Sequence, residues 1–197
     1  TALPKGIVQA AVLERASTLD ILVHKGDLSF LENTGTIASG SLRRKAQWLN
    51  RFPSHEIVDL RGNVNSRLQK LQNNTWQGAI FAAAGLERIN LKPENVINLD
   101  WMIPAPAQGI VMCAVMESNE YCKEILAQIN HKESEICAHL ERQFLRTLEG
   151  GCTAPIGAYA QIQEGKILFT GGLFSLDGNQ KIIAEKESSL TDFSEIG

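Results

Sequence analysis

Between residues 36 and 100 the chain alternates between short apolar runs and amphipathic ones. The runs TIAS (36–39), EIVDL (56–60) and GAIFAAA (78–84) have the length and side-chain content of strands. LRRKAQWLN (42–50) and VNSRLQKLQN (64–73) lie between them and read as helices. In the second helix Val64, Leu68 and Leu71 stand four and three positions apart and share a face. GLERIN (85–90) follows the third strand as a turn or short helix. Strands joined through helices run parallel, with the helices packed on the sheet, so this part of the chain is predicted to be α/β.

Such a sheet binds ligands beyond the carboxyl ends of its strands. Arginines recur at those points. Arg43 and Arg44 follow Ser39-Gly40-Ser41 after the first strand, and Ser41 suits the N-cap of the helix they open. Arg61 lies in DLRGNV after the second strand, Arg67 in the next helix, and Arg88 after the third strand. Free N–H groups and the positive end of the helix dipole point into the same space. Planar guanidinium forks add recognition of carboxylates or phosphates. Any one of these arginines read alone is a solvated surface residue; their repetition at equivalent points favours a shared anion site. There is no G-x-x-x-x-G-K-[ST] loop, so a carboxylate-rich ligand fits better than a nucleotide. The formal net charge of −3 argues against a general nucleic-acid binder. The apolar runs are too short to span a bilayer, and no signal-peptide pattern is present, so no membrane partner is expected.

Residues 7–14 and 110–116 read as further strands and 118–129 as a helix. Pro104 and Pro106 break MIPAPAQG (102–109), which reads as a crossing between lobes. Residues 131–148 form a long amphipathic helix, with Ile136, Leu140, Phe144 and Leu148 four apart. Three strand-like runs follow, with a hairpin signal at Asp177-Gly178-Asn179, so the C-terminal part is a small α+β domain with an antiparallel sheet. Thr191 suits the cap of another helix, and both ends of the chain read as cut.

The cysteines are Cys113, Cys122, Cys137 and Cys152; none pairs at C-x-x-C spacing, no Cys/His cluster suggests a metal, and a reducing cytoplasm is expected. Cys113 and Cys137 fall on apolar faces and read as core residues; Cys122 has no evident role. Cys152 sits in LEGGCTAPIG (148–157), between a Gly150-Gly151 helix cap and Pro155. The end of a helix carries negative partial charge and does not promote a thiolate, which weakens a cysteine-hydrolase reading and leaves a tether or an idle residue. His24, His55, His131 and His139 belong to no catalytic motif and read as packing or surface residues; Asp59 reads as an orienting partner of Arg61. No proton-transfer group stands out.

SGSLRRKAQ, LRGNVNSRLQKL, AAAGLERI, PAPAQGIV and LEGGCTAPIGAYA, in this order, closely resemble the porphobilinogen deaminase (hydroxymethylbilane synthase) family over nearly the whole chain. The resemblance implies a transferase of haem and other tetrapyrrole biosynthesis. It would join four porphobilinogen molecules into hydroxymethylbilane, with loss of ammonia, on a dipyrromethane cofactor attached by a thioether to Cys152. It further implies that Arg43, Arg44, Arg61 and Arg67 bind the carboxylates of cofactor or chain, with Ser39, Ser41 and Gly62 assisting and Arg88 lining the substrate path. Ser39 and Gly40 depart mildly from the Thr and Ser often found there. The family's catalytic aspartate lies in a KDVP-like motif just upstream of TALPKG, so the chain is expected to be a fragment without it, inactive alone. The implied fold is a periplasmic-binding-protein-like parallel-sheet lobe at 15–105, a remnant of lobe one at 1–14 and 106–129, and the α+β domain at 130–197. Crossings are expected near 12–18 and 101–108. The complete enzyme would be a cytoplasmic monomer, while the incomplete lobe one, with exposed apolar edges, would be less stable or self-associate. The alternative is a non-catalytic two-lobed domain that binds small carboxylates.

Overall fold

The computed structural model describes residues 3–148 and 154–190. Its main sheet contains β2 (Asp20–His24), β3 (Thr36–Ala38), β4 (Glu56–Val58), β5 (Gly78–Ala82) and β6 (Val96–Asn98) in the order β4-β3-β5-β2-β6. The predicted strands β3, β4 and β5 are parallel, and α1 (Leu42–Arg51) and α2 (Val64–Asn73) connect them as expected. The sheet is mixed, however, because β2 runs antiparallel to both β5 and β6. Every residue of β2 is buried, so its segment lacks the polar–apolar alternation that marks a half-exposed strand. The short β6 and a 3-10 turn at Ser29–Glu32 carry equally little local signal.

Alternation within the strands divides the core between the two faces of the sheet. Leu22, Ile37 and Ile80 pack with Phe30, Trp48, Leu99 and Met102 on the α1 side. Ile21, Val23, Ala38, Ala79 and Phe81 pack with Leu60, Leu71 and Leu86 on the other. Trp48 Nε1 donates to His55 Nδ1 at 3.1 Å, so His55 Nε2 carries the proton and donates to Phe30 O at 3.0 Å. His55 is thus the packing residue the sequence suggested.

Side-chain caps start the four longer helices. Ser41 Oγ accepts from Arg44 N, and Asn63 Oδ1 accepts from Ser66 N. Asn119 caps α4 (Glu120–Ala127), and His131 caps α5 (Lys132–Thr147), the long helix predicted at 131–148. The α5 helix covers an antiparallel sheet, order β10-β9-β8, of β8 (Ile156–Gln163), β9 (Lys166–Phe174) and β10 (Lys181–Ser189). Ile136, Cys137 and Leu140 meet Ala158, Ala160, Ile167 and Phe169 there. The predicted hairpin joins β9 to β10, and Asn50 Nδ2 of α1 donates to Gly178 O at its tip.

β1 (Ile7–Val12) pairs antiparallel with β7 (Met112–Met116), beside α4. Met116, Tyr121 and Ile125 of this layer are exposed. Residues 13–19 and 99–111, which contain the expected crossings, carry no helix or strand. No described helix is long and apolar enough to cross a membrane.

Candidate functional site

The loops after β3, β4 and β5 open at one edge of the main sheet, the carboxyl ends of its parallel strands. Because β2 is antiparallel, its first residue reaches the same edge, with Asp20 paired to Ala82. The sequence reading missed Asp20, the acid at the centre of this mouth.

Arg43 and Arg44 occupy the first turn of α1. Asp20, 1% exposed, lies between them. Arg43 Nη1 donates to Asp20 Oδ2 at 2.6 Å and to Ile103 O at 2.8 Å, and Arg43 Nη2 donates to Gln108 Oε1 at 3.2 Å. Arg44 Nε donates to Asp20 Oδ1 at 2.9 Å, and Arg44 Nη2 also lies 2.9 Å from it. Burial alone would push the Asp20 carboxyl up; the two guanidiniums, with hydrogen bonds from Arg43 and Gln108, outweigh it and hold Asp20 below its ordinary value. Burial also lowers the pKa of Arg44; Asp20 opposes this, while Arg43 and Arg67 add to it. Arg43 Nε is buried and has no acceptor among the described residues.

Ser39 is buried, and its Oγ accepts from Ser41 N at 3.3 Å. A Cβ on Gly40 would stand 2.5 Å from Leu60 O, so glycine lets the β3 and β4 loops approach closely. Gly62 has φ +117°, in the region that favours glycine, and its carbonyl accepts from Arg67 Nε at 2.7 Å. Arg61, 78% exposed, donates to Asp59 Oδ2 at 2.9 Å, the pairing suggested by their spacing. Arg88 is exposed at the C-cap of α3 (Ala83–Glu87), one short helix beyond β5. Arg43, Arg44, Arg61 and Arg67 thus share the mouth with two carboxylates, Asp20 and Asp59, and leave it an excess of positive charge. The arrangement suits a ligand with several carboxylates.

A second buried ion pair joins the segment before β2 to α5. Glu141, fully buried, accepts from Arg15 Nη1 at 2.6 Å and Nη2 at 3.1 Å, from Ala107 N at 2.6 Å and from Ala160 N at 2.8 Å. Burial pushes its carboxyl up against the opposing pull of Arg15 and the two backbone N–H groups. Arg15 Nε also donates to Gln108 O at 3.0 Å. The sequence signal for Glu141 was an acid on the apolar face of α5, next to Leu140.

Cys137 is buried, and burial, with the charge of Glu141, pushes its thiol up to about 11. It is an inert core thiol, as its position on the helix implied. Cys152 and the Gly150-Gly151 cap lie outside the described residues.

The family model described as "Porphobilinogen deaminase, dipyromethane cofactor binding domain" matches residues 1–124, and "Porphobilinogen deaminase, C-terminal domain" matches 135–197. A porphobilinogen deaminase of Chloroherpeton thalassium is 37% identical over 92% of this chain and 59% of its own length. That of Campylobacter hominis is 39% identical over 98% of this chain and 65% of its own, and that of Alkaliphilus metalliredigens 36% over 98% and 63%. The chain therefore spans about three-fifths of the length of these relatives. Among solved structures, the substrate binding protein of an amino acid ABC transporter is similar at TM-score 0.35 and 13% identity, over 71% of this chain and 60% of that one, a likeness too low to assign a fold family. With the two family models together taking in most of its residues, the chain belongs to the porphobilinogen deaminase family.

Proposed function

We propose that this chain carries the cofactor-holding part of a hydroxymethylbilane synthase. That enzyme joins four porphobilinogen molecules into hydroxymethylbilane, with release of ammonia, in the cytoplasmic synthesis of haem and other tetrapyrroles. The observation that supports it best is the arginine mouth. Each pyrrole of the product bears an acetate and a propionate, so the growing chain is a lengthening polyanion. The loops after β3 and β4, with the helices they open, bring Arg43, Arg44, Arg61 and Arg67 to one sheet edge, where forked donors meet such groups.

The residues present fit a dipyrromethane in this mouth. Arg43 Nε is a buried donor without an acceptor among the described residues, a defect worth about 1–3 kcal/mol that a ligand carboxylate oxygen would relieve. Dipyrromethane, when bound, supplies the primer on which the pyrrole chain is extended. Arg44 and Arg67 orient its carboxylates, Arg61 meets later ones from the solvent side, and Arg88 lines the path of incoming porphobilinogen. Ser39, Ser41 and Gly62 shape the loops and present the N–H groups of the α1 and α2 termini. Cys152 carries the thioether, within the domain of 130–197, against the lobe of 15–105; 1–14 and 106–129 contribute to a first lobe. Asp20 and Asp59 are both engaged by arginines and so do not serve as the proton-transfer group, and the chain alone does not turn over porphobilinogen. It self-associates through the exposed β1–β7–α4 layer; the complete enzyme is a monomer.

Mass spectrometry tests this on a protein of the relatives' length that carries this sequence. The expected result is an adduct of two linked pyrroles on Cys152, lost in Cys152→Ala together with activity. An active protein with an unmodified Cys152 overturns the tether. Binding of porphobilinogen without its consumption by that protein would favour the non-catalytic carboxylate-binding domain.

A further inference from the structure

We propose that Gln108, in the crossing segment outside the arginine mouth, is a positioning residue that sets the geometry of Arg43 and Arg44 through Asp20. The inference rests on the carboxylate-binding reading of that mouth.

The Gln108 amide is fully used. Its Nε2 donates to Thr18 O at 2.7 Å and to Asp20 Oδ1 at 3.1 Å. Its Oε1 accepts from Arg43 Nη2 at 3.2 Å and from Ala105 N at 3.4 Å. Two donors and two acceptor lone pairs exhaust what an amide can offer. The orientation is fixed as well. Rotated by half a turn, the amide would set its NH2 against two donors and its oxygen against two acceptors. A side chain here must donate to a carboxylate and accept from a guanidinium at once. A carboxylate would repel Asp20, and an ammonium would repel Arg43; a neutral amide of this length does both tasks.

The partners come from separate parts of the chain. Thr18 belongs to the segment that leads into β2, Ala105 to the later crossing, Asp20 to β2 and Arg43 to α1. Asp20 Oδ1 is shared between Gln108 and Arg44, so the amide restricts how that carboxylate can turn and thereby where the Arg44 fork points. Meanwhile the Gln108 carbonyl holds Arg15, the partner of Glu141. Packing of the α5 domain is in this way linked to the arrangement of the mouth by one residue's side chain and backbone.

A residue that merely holds the crossing would behave differently, and Gln47 provides the control. Its side chain donates to Ile103 O at 2.9 Å and accepts from Ile103 N at 2.8 Å, gripping the same crossing without touching Asp20. The experiment compares this chain with its Gln108→Ala, Gln108→Glu and Gln47→Ala variants. It records the Nε–H NMR signals of Arg44 and titrates porphobilinogen. Removing the Gln108 donor is expected to weaken porphobilinogen binding about tenfold, the size of one charge-assisted hydrogen bond. Gln108→Glu, of the same size, should weaken it at least as much, and both should move the Arg44 signal. Gln47→Ala should lower the melting temperature and, because Arg43 also donates to Ile103 O, weaken binding less than the Gln108 variants, while leaving the Arg44 signal as in the wild type. Equal losses of affinity in Gln47→Ala and Gln108→Ala, or wild-type binding by Gln108→Glu, overturn the proposal. If the wild-type chain binds no porphobilinogen, the carboxylate reading fails by itself, and the Arg44 signal still decides. A shift specific to the Gln108 variants sustains the positioning role; an unmoved signal overturns it.

Discussion

Among the described residues two carboxylates, Asp20 and Glu141, are buried in ionic networks that Gln108 links, and they are built in opposite ways. Glu141 is closed: one bidentate guanidinium and two backbone N–H groups occupy its oxygens, and the charges of Glu141 and Arg15 cancel. Asp20 is open: one carboxylate serves two guanidiniums, Arg67 stands near, and Arg43 Nε still lacks an acceptor among the described residues. A closed pair has nothing left to offer a ligand and ties Arg15, Ala107 and Ala160 to α5. An over-supplied one leaves positive charge and a buried donor that an anion could still engage. Charge balance within the network, more than burial, separates the structural site from the binding site.

The largest effect should come from Glu141→Ala. It leaves Arg15, with a side chain 12% exposed, without its partner, and loss of one member of a buried pair costs about 3–5 kcal/mol. Chemical denaturation measures this, and a loss well below that range would mean the network is not closed. Asp20→Asn should cost less, about 2 kcal/mol, because the amide oxygen still accepts from an arginine. The sharper contrast is rescue. A polycarboxylate such as citrate should restore part of the lost melting temperature in Asp20→Asn, since the ligand replaces the missing anion. It should do less for Glu141→Ala, which leaves one guanidinium and not two to draw the anion. Equal rescue of both variants would erase the distinction.

The difference between the two carboxylates bears on what could be read from the sequence. β3, α1, β4, α2 and β5 were legible because each has its own period and the connections follow from their order. The long α5 was legible almost to the residue, with His131 as cap and Leu148 just past its end. The arginines at the mouth were legible for the same reason, since each follows a strand. Asp20 was not, because its place depends on β2 running antiparallel between β5 and β6, a pairing between residues about sixty positions or more apart. Asp-Ile-Leu-Val did hold a hint: a carboxylate heading a fully apolar run must find a buried cation. Arg88 was placed with the others by analogy of position, yet α3 lasts one turn and carries it to a helix C-cap. Gln108 and Arg15 lie in segments without regular structure, where no period announces a role.

A smaller effect, of opposite sign at the two sites, should appear in acid. Folding holds the Asp20 carboxyl below its ordinary value of 3.8, because Arg43 and Arg44 outweigh the effect of burial. Its contribution to stability is therefore present above 3.8 and lost as the pH falls through the lower, folded-state value. Burial raises Glu141 above its ordinary 4.5, so its contribution is present below 4.5 and lost as the pH rises through the folded-state value. The stability gap between wild type and Asp20→Asn should narrow as the pH drops below 3.8, whereas the gap to Glu141→Gln should widen towards acid. Asp59 and Glu135, also held low, contribute equally to all three proteins and cancel in the differences. Parallel pH profiles for the two variants would show that the networks are not opposites.

The smallest effect on stability should come from the rim of the same mouth. Arg61 and Asp59 form an exposed pair, with side chains 78% and 61% accessible, and such pairs add little to folding. Arg61→Ala should leave the denaturation midpoint unchanged. If Arg61 serves the ligand, the same variant should nevertheless bind porphobilinogen more weakly, and the loss should shrink as salt is added, because an exposed charge is screened where a buried one is not. Asp59→Asn gives the complementary reading. It removes the negative charge that offsets the Arg61 guanidinium, while its amide oxygen can still accept, and should tighten binding slightly at low salt. An Arg61→Ala variant with wild-type affinity at low salt would confine the binding role to the buried part of the mouth, where Asp20 holds Arg43 and Arg44.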